Sequence, residues 1–137
     1  WTHWIHDINP GEVNRIKNSE VDRIEWIRHP GQVAGWIRQQ NPRLSDRRWD
    51  SALLRFPDRL AVCRWARIIA WYALERSIAP EASLERFGNN WDDAHYAFLA
   101  SYTGWLATDD AGLKRTVSAV FPWVKLWSAS DQCCPPE

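Results

Sequence analysis

Among 137 residues the chain has no methionine, only three cysteines, and no apolar run long enough to span a membrane. Each lack excludes something. Cys63 falls in an apolar segment of helical spacing while Cys133 and Cys134 are adjacent, so they cannot make a disulfide framework, and a reducing, cytoplasmic setting is expected. A spanning helix needs roughly 18 consecutive apolar residues, and Arg64 and Arg67 break the most apolar stretch. A soluble domain is the expectation. The ending Cys133-Cys134-Pro135-Pro136-Glu137 has prolines where a prenylation box has aliphatic residues. Glycine-rich phosphate loops, Cys-x-x-Cys pairs and metal-spaced histidine motifs are missing too, so no cofactor or metal is expected.

Net charge is also lacking, since 17 Lys plus Arg balance 17 Asp plus Glu. No overall field draws the molecule to nucleic acid or an anionic surface, and any electrostatic function must be local. Local asymmetry is present. From Arg43 to Arg67 there are seven Arg and three Asp, and from Glu75 to Asp110 seven acids and two Arg.

Strict apolar alternation is absent, and i, i+3, i+4 spacing recurs, so the expected fold is all-α. It reads as one compact bundle of about seven or eight short helices around a central apolar helix at about 58–78, occupying residues 1–128. Residues 129–137 are expected to be a flexible tail. Ser19 with Asp22 resembles a capping box and opens a helix with Val21, Ile24 and Ile27 inward. Pro30 starts another that stops at Asn41-Pro42, and Ser45 starts a fourth. The central helix carries a polar stripe of Arg59, Arg64, Arg67 and Glu75, expected at a groove or the surface. Gly88 is read as ending a short helix after Pro80, and Asn90 with Asp93 as starting the next, with Ala94, Phe98, Tyr102 and Trp105 inward. A last helix from about Asp109, interrupted at Pro122, uses Leu113, Val117, Val120, Val124 and Trp127.

Four groups carry candidate chemistry. His3, His6 and Asp7 have a spacing that suits zinc, without a fourth ligand nearby. Asp92, Asp93 and His95 suit acid–base work, but first-turn acids are equally explained by the helix dipole. Arg23 and His29, with five residues between them, resemble in spacing the Arg…His signature of HEPN-type helical ribonucleases, whose Arg and His act on the scissile phosphate. That resemblance covers seven residues and implies a ribonuclease. The structural alternative, which is preferred, has Arg23 exposed and His29 ending a helix. The fourth group is the basic middle, Arg43, Arg47, Arg48, Arg55, Arg59, Arg64 and Arg67 interleaved with Trp49 and Trp65, which suits phosphates or an acidic partner. Pairing with Asp46, Asp50, Asp58 or the later acids is the structural alternative.

Eleven tryptophans exceed what a bundle of this size is expected to bury, and Trp is enriched at interface anchors. Trp65, Trp71 and Trp105 fit inward faces. Trp4, Trp26, Trp36, Trp91 and Trp123 are expected outside, with Trp26 and Trp36 sharing a patch beside the 29–31 turn. The reading reached is a non-catalytic helical module that binds a protein partner through Trp26, Trp36, Arg47, Arg48, Arg55, Arg59, Arg64 and Arg67. A homo-oligomer is one form of it. The alternatives are a nucleic-acid-binding subunit using segment 43–67, and a small hydrolase or ribonuclease using His29 or His95.

Overall fold

The computed structural model describes residues 10–40, 47–78 and 85–128. Within them the order is α1 (Pro10–Asn18), α2 (Glu20–Arg28), α3 (Pro30–Gln40), α4 (Arg47–Arg55), α5 (Ala61–Ile78), α6 (Glu85–Thr103), β1 (Trp105–Ala107), α7 (Ala111–Val120) and β2 (Lys125–Trp127). The predominantly helical bundle agrees with the sequence. Segments 1–9, 41–46, 79–84 and 129–137 lie outside the described residues, and with them His3, His6, Asp7, Trp4, Arg43 and the expected tail.

Local chemistry sets several boundaries. Ser19 caps α2 by accepting a hydrogen bond from the Asp22 amide at 3.2 Å, and Asp110 caps α7 by accepting from Leu113 at 2.7 Å. His29 is extended (φ −70°, ψ 118°), as the residue before a proline tends to be, so α2 stops and Pro30 starts α3. Gly104 holds φ 78° between α6 and β1, a conformation that favours glycine.

The core forms around α5, which packs against α1, α2, α3, α6 and α7. Ile68, Ala70, Trp71 and Leu74 face one cluster with Ile27, Val117, Val120 and Phe121. Cys63 and Ala66 face a second with Val33, Ile37 and Leu53. α5 starts at Ala61 and not 58, because the chain turns after Pro57, with the Arg59 and Leu60 amides both donating to Phe56 O.

Three expectations are corrected. The break at Gly88 and the start at Asn90 do not exist, because α6 runs unbroken from Glu85 to Thr103. An interior glycine costs a helix about 1 kcal/mol, which the burial of Ala94, Ala97 and Ala100 offsets. The last helix ends at Val120, since Phe121 before Pro122 leaves the helical conformation (φ −130°, ψ 77°), and 125–127 form a strand. β1 and β2 pair in parallel, Trp105 with Lys125, Leu106 with Leu126 and Ala107 with Trp127, and α7 is the crossover. Val21, expected inside, is exposed.

Candidate functional site

The basic middle is not one surface. Arg47 and Arg48 open α4, and their side chains lie outside the description. Arg55 and Arg59 are exposed near Leu54 and Phe56, with the Arg59 guanidinium 5.8 Å from the Phe56 ring centre. Arg64 is half-buried, donating from Nε to Asp58 O and from Nη1 to Ser101 O, both at 2.6 Å. Arg67 is only 3 % exposed, pairs with the Asp58 carboxylate, and reaches Arg28 O at 3.5 Å. At Arg67 the stripe is therefore not open, and the structural alternative, pairing with Asp58, is what the structure shows.

Four arginines share one task. Arg23 donates to Ile16 O and Lys17 O at the end of α1, and Arg28 to Ser118 O and Ala119 O, each at 2.8 Å, at the end of α7. Arg64 serves the end of α6 and Arg67 the end of α2. The last carbonyls of a helix have no partner within it and carry the negative end of its dipole, so a planar cation with several donors suits them. The expected exposure of Arg23 is corrected: it is buried, and its Nε lies 3.4 Å from Glu75.

Tryptophan placement is also revised. Trp26 is buried at 4 % exposure, and Trp36 is partly buried against the core, so neither forms the expected surface patch. Trp71 is buried and Trp65 partly so, as read from the sequence, but Trp105 is exposed. Trp91 and Trp123 are exposed, as expected.

These exposed rings belong to a face the sequence reading missed. Along α6, Ala94, Ala97, Ala100 and Ser101 point into the core, and Trp91, Tyr96, Leu99 and Tyr102 point out. Leu99 is 59 % and Tyr96 57 % exposed. The buried side of α6 is thus made of small residues and its exposed side of large ones. A signal was present in the sequence: positions 94, 97, 100 and 101 repeat at helical spacing and are all small.

Trp91, Tyr102 and Trp123 belong to a connected array. Trp65 from α5 meets Trp91 edge-on at 5.6 Å between ring centres, Phe98 at 5.4 Å and His95 at 5.3 Å. Phe98 contacts Tyr102 at 5.2 Å, and the Arg64 guanidinium lies 4.2 Å from the Tyr102 ring centre and 5.8 Å from that of Trp123. The Trp123 indole donates to Ser101 O at 3.3 Å. Such edge-on and cation–π contacts contribute about 0.5–1.5 kcal/mol each beyond burial, so they hold these rings in place.

Among the described residues, catalytic groups do not converge. Asp92 and Asp93 lie inside α6 and not in its first turn, so the expected dipole explanation fails. Burial, then Asp110 and Asp92, pushes the Asp93 carboxyl above its ordinary range. The His95 Nδ1 bonds Trp91 O at 2.8 Å, and His29 ends α2 with its backbone. Among the described residues no carboxylate or hydroxyl hydrogen-bonds either ring, and no three His, Cys, Asp or Glu gather as metal ligands. Burial pushes the Cys63 thiol up to about 11, which keeps it protonated and inert at neutral pH. No helix among the described residues is long and apolar enough to cross a membrane. Comparison with protein-family models, with curated proteins and with solved structures gives no match.

Proposed function

We propose that the chain is a non-catalytic protein-interaction module whose contact surface is the outer face of α6 with Trp123 and Arg64. The observation that carries this reading is the inversion of α6, which exposes Trp91, Tyr96, Leu99 and Tyr102 and buries alanines. Isolated exposed apolar residues are ordinary in soluble proteins, but a contiguous set of this kind marks an interaction surface. Aromatic rings with an arginine among them are the residue types that dominate protein interfaces. Of the anchors expected from sequence, Arg64 remains within the contact surface, and Trp26 and Arg67 serve the interior.

The test places a photo-reactive phenylalanine analogue at position 99 and, as a control, at Val21 on the exposed side of α2. Position 99 is expected to give a protein adduct in native extract. The captured protein, once purified, is expected to lose about thirtyfold in affinity on Tyr102→Ala, the effect of a central anchor worth about 2 kcal/mol. Equal labelling at both positions, or unchanged affinity, would refute the reading.

One observation favours a second reading. Arg55 and Arg59 are exposed and neither contacts a carboxylate among the described residues, which suits a phosphate backbone. Salt-sensitive binding to RNA or DNA, abolished by Arg55→Glu with Arg59→Glu, is its signature; binding that ignores salt would count against it.

A further inference from the structure

We infer that the occupant of the α6 face is a second copy of this chain, packed antiparallel across a two-fold axis that passes beside Leu99. This rests on the reading of the face as a protein contact, and it names the partner.

The pattern of the face is the first argument. Leu99 lies at its centre, with Tyr96 three residues before and Tyr102 three residues after. At 100° per residue those tyrosines lie about 60° to either side of Leu99, and all three are exposed. A two-fold contact uses the same patch twice, so a residue that touches another must be touched by it in return. With the axis at Leu99, the antiparallel arrangement sets Leu99 against its own copy and brings Tyr96 level with Tyr102 of the other chain. The stripe is thus self-complementary about its middle.

Charge gives the direction. One end of the stripe carries Asp92, on the same line as Leu99 two turns earlier and exposed; the other carries the Arg64 guanidinium over Tyr102. Antiparallel packing turns the acidic end of one copy toward the basic end of the other, whereas parallel packing would oppose Arg64 to Arg64. The exposed Trp91 and His95 at the first end then approach Tyr102, Trp105 and Trp123 at the second. A formal net charge of zero leaves no overall repulsion between copies. Six large apolar residues, Trp91, Tyr96, Leu99, Tyr102, Trp105 and Trp123, outnumber the cations beside them, Arg64 and the exposed Lys125 that neighbours Trp105 across the strands, which is a poor fit to a phosphate backbone and a good one to another helix.

The experiment is sedimentation over a concentration series, joined to cross-linking. The wild-type chain is expected to dimerise, and Leu99→Asp, which places two carboxylates at the axis, to weaken the dimer at least about a hundredfold with unchanged far-ultraviolet circular dichroism. Asp92→Lys is expected to weaken it about tenfold, and less so at high salt. In a background with Cys133→Ser and Cys134→Ser, Leu99→Cys is expected to form an interchain disulfide. A mixture of Tyr96→Cys and Tyr102→Cys chains should cross-link to each other through a short bis-maleimide and not to themselves. These cross-links need no destabilising substitution, so they decide the matter if Leu99→Asp fails to fold. A monomer at every concentration, or a dimer indifferent to Leu99→Asp with no disulfide at position 99, overturns the inference. A monomer whose position 99 still captures and binds a different protein overturns this inference alone; a monomer that captures nothing overturns the protein-contact reading as well.

Discussion

Removing the Asp58 carboxylate and removing the Arg67 guanidinium are expected to have unequal costs, although the two groups form one ion pair. Arg67 is almost wholly buried, while the Asp58 side chain is 57 % exposed. Asp58→Ala leaves a buried guanidinium with one contact, Nη2 to Arg28 O at 3.5 Å, and an Nε that has no hydrogen-bond partner. Breaking a buried pair from one side costs about 3–5 kcal/mol, and water reaching through the exposed Asp58 position lowers this to about 2 kcal/mol. Arg67→Met keeps the length of the side chain and removes the charge together with its desolvation. The Asp58 carboxylate it leaves behind is solvated. The expected cost is at most about 1 kcal/mol. The double variant is expected to match Arg67→Met, because without the guanidinium nothing remains for Asp58 to compensate. Urea unfolding of the four proteins gives the cycle directly, and Asp58→Ala should lower the thermal midpoint by about 7 °C in a chain of this size. If Arg67→Met costs as much as Asp58→Ala or more, the pair supplies net stability and the desolvation argument is wrong.

Arg28→Lys keeps the charge but cannot hold Ser118 O and Ala119 O with one planar fork, so a loss of about 1 kcal/mol in urea unfolding is expected, with Arg28→Ala losing more. Gly104→Ala meets no atom within 4 Å, so its expected cost of about 1 kcal/mol is the backbone strain at φ 78° alone; a neutral result would mean the turn relaxes. Two carboxyls should give pH slopes of opposite sign. Hydrogen bonds from Arg115 hold the Glu20 carboxyl below its ordinary range, so its contribution is present above the unfolded value and lost as pH falls through the folded one. Glu20→Gln should therefore flatten the acid limb of stability against pH, by less than about 1 kcal/mol because the network is half exposed. Asp93 is shifted upward, so its contribution is present below the unfolded value and lost as pH rises through the folded one. Asp93→Asn should then stabilise the protein at neutral pH and leave acid stability unchanged, as read from midpoints on both sides of the transition.

Features fixed by neighbours in the chain were legible in the sequence. The Ser19 cap and Pro30 at the head of α3 depend on a few adjacent atoms, and both stand where the sequence puts them. Features fixed by packing were not. Nothing local distinguishes a helix that buries its aromatics from one that buries its alanines, so α6 read as if Tyr102 and Trp105 faced inward. Its unbroken course through Gly88 has the same origin, because the burial of Ala94, Ala97 and Ala100 comes from α5 and α7. Strand β2 was missed because three residues show no period, and its partner β1 lies twenty residues earlier.

The arginines show why composition misled about the site. A dense run of cations suggests an anion outside the molecule, and the natural internal alternative is a carboxylate. Arg23, Arg28, Arg64 and Arg67 all meet backbone carbonyls at four helix ends, and of these Arg67 and Arg23 also lie against a carboxylate, Asp58 and Glu75. Backbone carbonyls belong to every sequence and so leave no trace in one. Lysine could neutralise the same ends, but a guanidinium offers separate donors in one fixed plane, which Arg28 uses to join two successive carbonyls and Arg67 a carbonyl and a carboxylate. A bundle of short helices has many such ends for its length, and four of the fourteen arginines serve them. Exposure, and not cation count, is then what separates a candidate contact from a structural clamp. By that criterion Arg55 and Arg59 stand open, Arg67 is excluded, and Arg64 belongs to both classes, since the guanidinium that holds Ser101 O also supports the rings of Tyr102 and Trp123.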